Sequence, residues 1–87
     1  MSVRHIAAAN RYELDTEHGI ALAVYVEEGD RRIFTHTEVP KVDEGKGHAA
    51  RLVGAALADT RRSGFKIVPA CSYVAAYVRR HPEYAGE

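Results

Sequence analysis

The sequence has a single cysteine, Cys71, so no intramolecular disulfide can staple it, and a lone thiol suits a reducing compartment. It has no excess of either charge. Its 12 basic side chains meet 12 acidic ones, which argues against electrostatic capture of nucleic acid or an anionic membrane. No apolar run approaches the roughly 18 residues of a membrane span. Arg4 and His5 are followed by no apolar stretch of the kind a secretory signal needs. The expectation is a cytoplasmic protein with neither nucleic-acid nor membrane partners. The five histidines and one cysteine lack ligand spacing, so no metal site is expected. Linkers, repeats and low-complexity segments are also missing, and the 87 residues read as one domain, 1–87, near the lower size limit for a self-sufficient core. The basic pairs Arg61-Arg62 and Arg79-Arg80 read as solvated helix ends that complement the helix dipole.

What is present is clear periodicity. Residues 1–9, mostly small, read as a short leader. A first strand is expected over Asn10–Asp15, with Tyr12 and Leu14 on one face, followed by turn residues Thr16 to Gly19. From Ile20 to Glu27, Ile20, Leu22, Val24 and Val26 alternate with Ala21, Ala23 and Tyr25. Glu28-Gly29-Asp30 makes a hairpin turn. The next strand, Arg31–Val39, sets Ile33, Thr35, Thr37 and Val39 on one face and Phe34, His36 and Glu38 on the other. After Gly47 the period changes: Ala49, Leu52, Val53, Ala56 and Leu57 share one face of a helix running from about Lys46 to Arg62, capped by Gly64. Phe65–Val68 reads as a short buried strand closed by Pro69. Ser72 is placed to cap a last helix carrying Val74, Tyr77 and Val78, stopped at Pro82. Strand–helix–strand connections are right-handed, which leaves the fourth strand parallel to the third. The fold class is therefore α+β: an antiparallel three-stranded meander, a long helix, a parallel fourth strand and a short C-terminal helix.

The functional signal lies where strand gives way to helix, in His36-Thr37-Glu38-Val39-Pro40 and Glu44-Gly45-Lys46-Gly47. Two glycines let the backbone turn tightly, and the unpaired N–H groups that open the helix favour a phosphate or another anion. A Walker A loop is excluded, because Pro40 and Gly47 stand where it needs glycine and Ser/Thr. Gly45, Gly47 and Ala50 match a dinucleotide fingerprint literally. The several residues between Pro40 and Gly45, and the lack of an acid after Gly64, exclude that reading too.

Together with Leu52-Val53, Pro69-Ala70-Cys71 and Arg80-His81-Pro82-Glu83-Tyr84, this stretch resembles a branch of very small GNAT-like N-acetyltransferases. The resemblance covers more than half the chain. It departs from the wider superfamily at Val42, which occupies a Gln or Arg position, and at Asp43 and Glu44, which bring negative charge to a pyrophosphate loop. It implies an acetyl-CoA cofactor held by backbone around Glu38 and Val39 and along Gly45, Lys46, Gly47, His48 and Ala49. It also implies that two parallel strands splay apart around the pantetheine arm.

Three residues are candidates for the chemistry. Cys71, just ahead of a helix, faces the acetyl end as acid, nucleophile or wall, or is a small buried hydrophobe. Tyr73 and Tyr77 lie one helical turn apart, and the resemblance implies that one protonates the leaving thiolate; both could equally be packing residues. His36 and Glu38 are either a proton relay or a solvent-facing pair, and His48 either touches phosphate or is exposed. N-terminal elements that build the acceptor site in larger relatives are short here, which implies an open pocket suited to an amine on a larger molecule. The function expected is acetyl transfer to an amine by direct attack, in a monomer or weak homo-oligomer. The alternative is a non-catalytic acyl-CoA or phosphate-ligand binding module, or a small interaction protein with a vestigial site.

Overall fold

The computed structural model describes residues 2–85. They form one mixed sheet in sequential order, β1 (Arg4–Ile6), β2 (Arg11–Thr16), β3 (Gly19–Glu28), β4 (Arg31–Glu38) and β5 (Lys66–Pro69). Helices α1 (His48–Arg62) and α2 (Ser72–Arg80) pack on one face. The first four strands are antiparallel, and β5, reached through α1, lies parallel to β4 as expected.

The N-terminal leader is a correction: Arg4–Ile6 is a strand, paired Arg4 to Glu13 and Ile6 to Arg11. The Arg4 guanidinium donates to both Asp15 oxygens at 3.0 and 3.1 Å and to Glu13 at 3.2 Å. His5 stacks on Tyr12 at 4.2 Å between ring centroids. A 3-10 turn, Ala7–Ala9, then reverses the chain through Asn10 at φ 55°, one of the few non-glycine types that tolerate this region.

A bulge corrects the alternation along β4. Val24 pairs with His36 but Tyr25 with Phe34, so Thr35 is an extra residue. Arg32, Phe34 and Thr37 are therefore buried, while His36 and Glu38 point away from the helices. Phe34 does not share their face. Two smaller corrections concern the last elements. The N-cap of α2 is Cys71 rather than Ser72, and no side chain caps that helix. β5 is a half-buried edge strand that includes Pro69, a position where a missing N–H breaks no ladder bond.

Tyr12, Leu14, Ala21, Ala23, Tyr25 and Phe34 form the inner face of the sheet, and Leu52, Val53, Ala56, Leu57, Val74 and Val78 close over it. Arg32 ends this core as a buried cation. It donates to Tyr12 Oη at 2.7 Å and Glu27 Oε2 at 2.7 Å and lies 4.5 Å over the Tyr25 and Phe65 rings. In turn Tyr12 Oη donates to Asp59 at 2.6 Å, so no member of the cluster is left unpaired. Leu52 is fully buried where α1 meets the sheet. Leu52→Ala is expected to lower unfolding free energy by about 2–5 kcal/mol, a large share of the stability of so small a domain, and urea denaturation measures it.

Candidate functional site

Pro40 ends the ladder of β4, and a 3-10 turn, Lys41–Asp43, leads into the two glycines. Both have positive φ, 83° at Gly45 and 85° at Gly47, and open space where a Cβ would stand. Glycine is thus demanded by backbone conformation, with no packing restriction behind it. The chain enters α1 at His48, two residues later than expected, because Gly47 in the left-handed region occupies the N-cap. The first intrahelical bond is Arg51 N to Gly47 O at 3.2 Å. No side chain caps the N–H groups ahead of it, and the first turn carries no acid.

Asp43 holds this loop in place. Fully buried, it accepts from Thr16 Oγ1 at 2.7 Å, the His18 backbone N–H at 2.8 Å, the His18 ring at 2.8 Å and Lys46 Nζ at 3.2 Å. Burial works against its ionisation. Hydrogen bonds from the His18 ring, Thr16, the His18 backbone and Lys46 outweigh that and hold the carboxyl well below the usual range. The negative charge that looked hostile to an anion is therefore consumed internally. All its partners but Lys46 lie 25–27 residues upstream, so sequence reading missed this role, and an acid beside Val42 in a loop gave no signal of it.

Between the α1 N-terminus and α2 lies a cleft of about 380 Å³, within the range of small-molecule sites. Of the expected site residues, Val39, Gly45, Gly47, His48, Ala49, Tyr73 and Tyr77 all border it. Three stand elsewhere. Glu38 is exposed, with its carboxylate 3.0 Å from His36 Nε2. Lys46 turns to Asp43 and, at 3.7 Å, to Glu17. Cys71 is buried outside the lining, and its Sγ donates to Thr37 Oγ1 at 3.2 Å. His48 is buried too, with Nε2 3.0 Å from Glu17 Oε1. The cleft also takes in Ala76, which the sequence reading did not single out, and Arg80, which it read as part of a solvated helix end.

Tyr77 is more firmly placed than Tyr73, which is 42% exposed. Its ring stacks on His81 at 4.1 Å and leans on Tyr84 at 6.2 Å. Its hydroxyl lies against Gly54 of α1, so close that a Cβ there would stand 2.7 Å from Oη. Burial chiefly, then the proximity of Tyr84 and Glu83, raises the Tyr77 pKa above that of an ordinary phenol. Ladder pairing between β4 and β5 stops at Phe34 and Pro69, while β4 continues to Glu38. β5 ends there, so the last residues of β4 have no strand beside them on that side, although Cys71 still meets Thr37.

A two-glycine turn and an uncapped helix N-terminus, set on a mixed sheet whose last two strands are parallel, define a minimal acetyltransferase-like domain. The family model described as GCN5-related N-acetyl-transferase matches residues 11–86. The chain belongs to that family. No curated protein matches it.

Proposed function

We propose that the protein binds acetyl-CoA in this cleft and transfers the acetyl group to an amine by direct attack in a ternary complex. The observation that carries the proposal is the uncapped N-terminus of α1, whose free N–H groups and positive dipole end border the cleft. They suit a pyrophosphate, with the backbone of Glu38 and Val39 beside the pantetheine arm. In the transfer, the amine nitrogen attacks the thioester carbonyl carbon, the C–S bond breaks and the departing thiolate takes a proton. Tyr77, protonated at neutral pH and bordering the cleft, is the better placed donor, with Tyr73 the second choice. The outer face of the sheet, where His36 and Glu38 pair, carries no helix among the described residues. That openness favours an amine on a larger molecule as acceptor.

Calorimetry with acetyl-CoA, coenzyme A and NAD tests the ligand, and coenzyme A release with an amine panel tests the chemistry. Binding of the two CoA forms but not NAD, with turnover, is the expected result. Binding without turnover on any amine would leave a non-catalytic acyl-CoA module. No binding would remove the proposal.

Cys71 takes the role of a small buried core residue rather than a participant in the chemistry. Its thiol is directed to Thr37 and lies outside the lining, so Cys71→Ala should retain turnover. Mass spectrometry of the wild type with acetyl-CoA and no acceptor should show no acetylated protein. An acetyl adduct that Cys71→Ala abolishes would establish a covalent route instead.

A further inference from the structure

The outer face of the sheet is apolar where water normally keeps such a face polar. An antiparallel sheet with one solvated side alternates apolar residues inward with polar ones outward. Along β3 the inward Ala21, Ala23 and Tyr25 alternate instead with Ile20, Leu22, Val24 and Val26. Ile20 is 46% and Val26 43% exposed. The register carries the stripe across the sheet: Val26 pairs with Ile33 of β4, and Ile33 with Val68 of β5. None of these residues belongs to the core, and no helix covers them among the described residues. Strand propensity does not demand aliphatics here, since threonine serves it as well at exposed Thr35.

Charge is arranged about this stripe so that the face complements itself. β4 crosses it with Arg31 at one end and Glu38 at the other, both exposed and on the side of Ile33. Glu38 meets only the His36 ring. Among the described residues Arg31 forms no ion pair, not even with Glu28, its neighbour in register on β3. On β2, by contrast, Glu13 and Asp15 are already matched by Arg4 and Arg11. We infer that the protein pairs with a second copy of itself through this face, sheet against sheet, about a twofold axis running across the strands. That axis lays one β4 antiparallel over the other. Glu38 of each copy then lies over Arg31 of the other, and Val24, Val26 and Ile33 meet between them.

The size of the face fits a weak dimer. Five strands, at about 4.8 Å spacing and about 3.3 Å per residue, present roughly 500–600 Å² per copy. Pairing buries about 1,000 Å² or slightly more in all, the threshold of a specific interface, so a dissociation constant of roughly 10–100 μM is expected. Packed sheets lie about 10 Å apart, a gap that glutamate and arginine bridge together. Growth at the borders is obstructed by the shortness of β1 and by Pro69 at the end of β5, which leaves the face. Both clefts lie on the helix-bearing side and stay open in the pair. A large acceptor approaching over the outer face would compete with pairing. The inference itself does not depend on the acetyl-CoA reading.

Sedimentation velocity of the wild type from about 1 μM to about 1 mM should show a single copy giving way to a dimer. Val26→Glu, at a half-exposed position, should keep the fold and remain a single copy throughout. Glu38→Arg and Arg31→Glu each set like charges over one another, so each alone should also stay single. An equimolar mixture of those two should pair again, because opposite charges then meet at both contacts. Amide chemical shifts of Val24, Val26 and Ile33 should move as the wild type is diluted, while those of α1 and α2 hold still. These shifts decide the matter even where a variant does not fold. A wild type that stays single at about 1 mM, undiminished pairing in Val26→Glu, or a mixture that does not pair would overturn the inference. So would dilution shifts on the helices in place of β3 and β4. None of these results bears on coenzyme A binding, which calorimetry reads separately.

Discussion

Gly47→Val is expected to weaken coenzyme A binding by about tenfold or more, or about 1.4 kcal/mol, in a protein that still folds. Gly47 has φ 85°, a region that β-branched residues avoid, so valine would pull the turn toward another conformation and re-aim the first N–H groups of α1. Because no heavy atom stands within 4 Å of its missing Cβ, the new side chain displaces nothing in the core. It does stand beside the backbone that an anion must approach. Gly45→Val, at φ 83° with equally open surroundings, should act in the same direction. Calorimetry measures the affinity and thermal unfolding verifies the fold. A folded Gly47→Val that binds coenzyme A as the wild type does would take the turn out of the site.

Tyr77→Phe is expected to lower kcat by ~10²–10⁴-fold, the usual range for loss of a positioned general acid, with acetyl-CoA affinity little changed. A second substitution reaches the same hydroxyl from the opposite side. In Gly54→Ala the new methyl would lie 2.7 Å from Tyr77 Oη and 3.3 Å from Cζ, closer than packed atoms allow. What must move is the end of a side chain, so the tyrosine swings rather than the helix. In a helix interior, alanine is favoured over glycine by roughly 0.5–1 kcal/mol, so stability should hold while turnover falls. Loss of activity in a domain that is no less stable would separate positioning from folding. Full activity in both variants would move the acid role to Tyr73.

The architecture was legible because much of it follows from period alone. Ala21, Ala23 and Tyr25 against Leu22 and Val24, then Leu52, Val53, Ala56 and Leu57, announce sheet and helix with their faces assigned. The glycine turn was legible because positive φ leaves a mark in residue type. The bulge was not, since Thr35 continues the alternation smoothly and only the pairing with β3 shows the slip. The edge strand β1 is three residues long and runs into alanines, too short for any period to emerge. Asp43 and Gly54 share another obstacle. Each takes its meaning from a partner distant in sequence, His18 for one and Tyr77 for the other. No local pattern encodes such a meeting.

An open sheet of five strands has two borders, and in a domain this small they form a large part of the molecule. On one side β1 is three residues long and carries Arg4, whose charge is anchored by Asp15 and Glu13. On the other, β5 has four residues, with exposed Lys66 at its start and Pro69, which lacks an N–H, at its end. Short strands, a lysine, an arginine and a proline are devices that stop one sheet from templating the next. Unpaired backbone at either border offers a neighbouring molecule only a few ladder bonds before charge or proline interrupts them. The unpaired backbone at the end of β4 can thus stay open without the protein as a whole inviting strand addition and fibrous assembly.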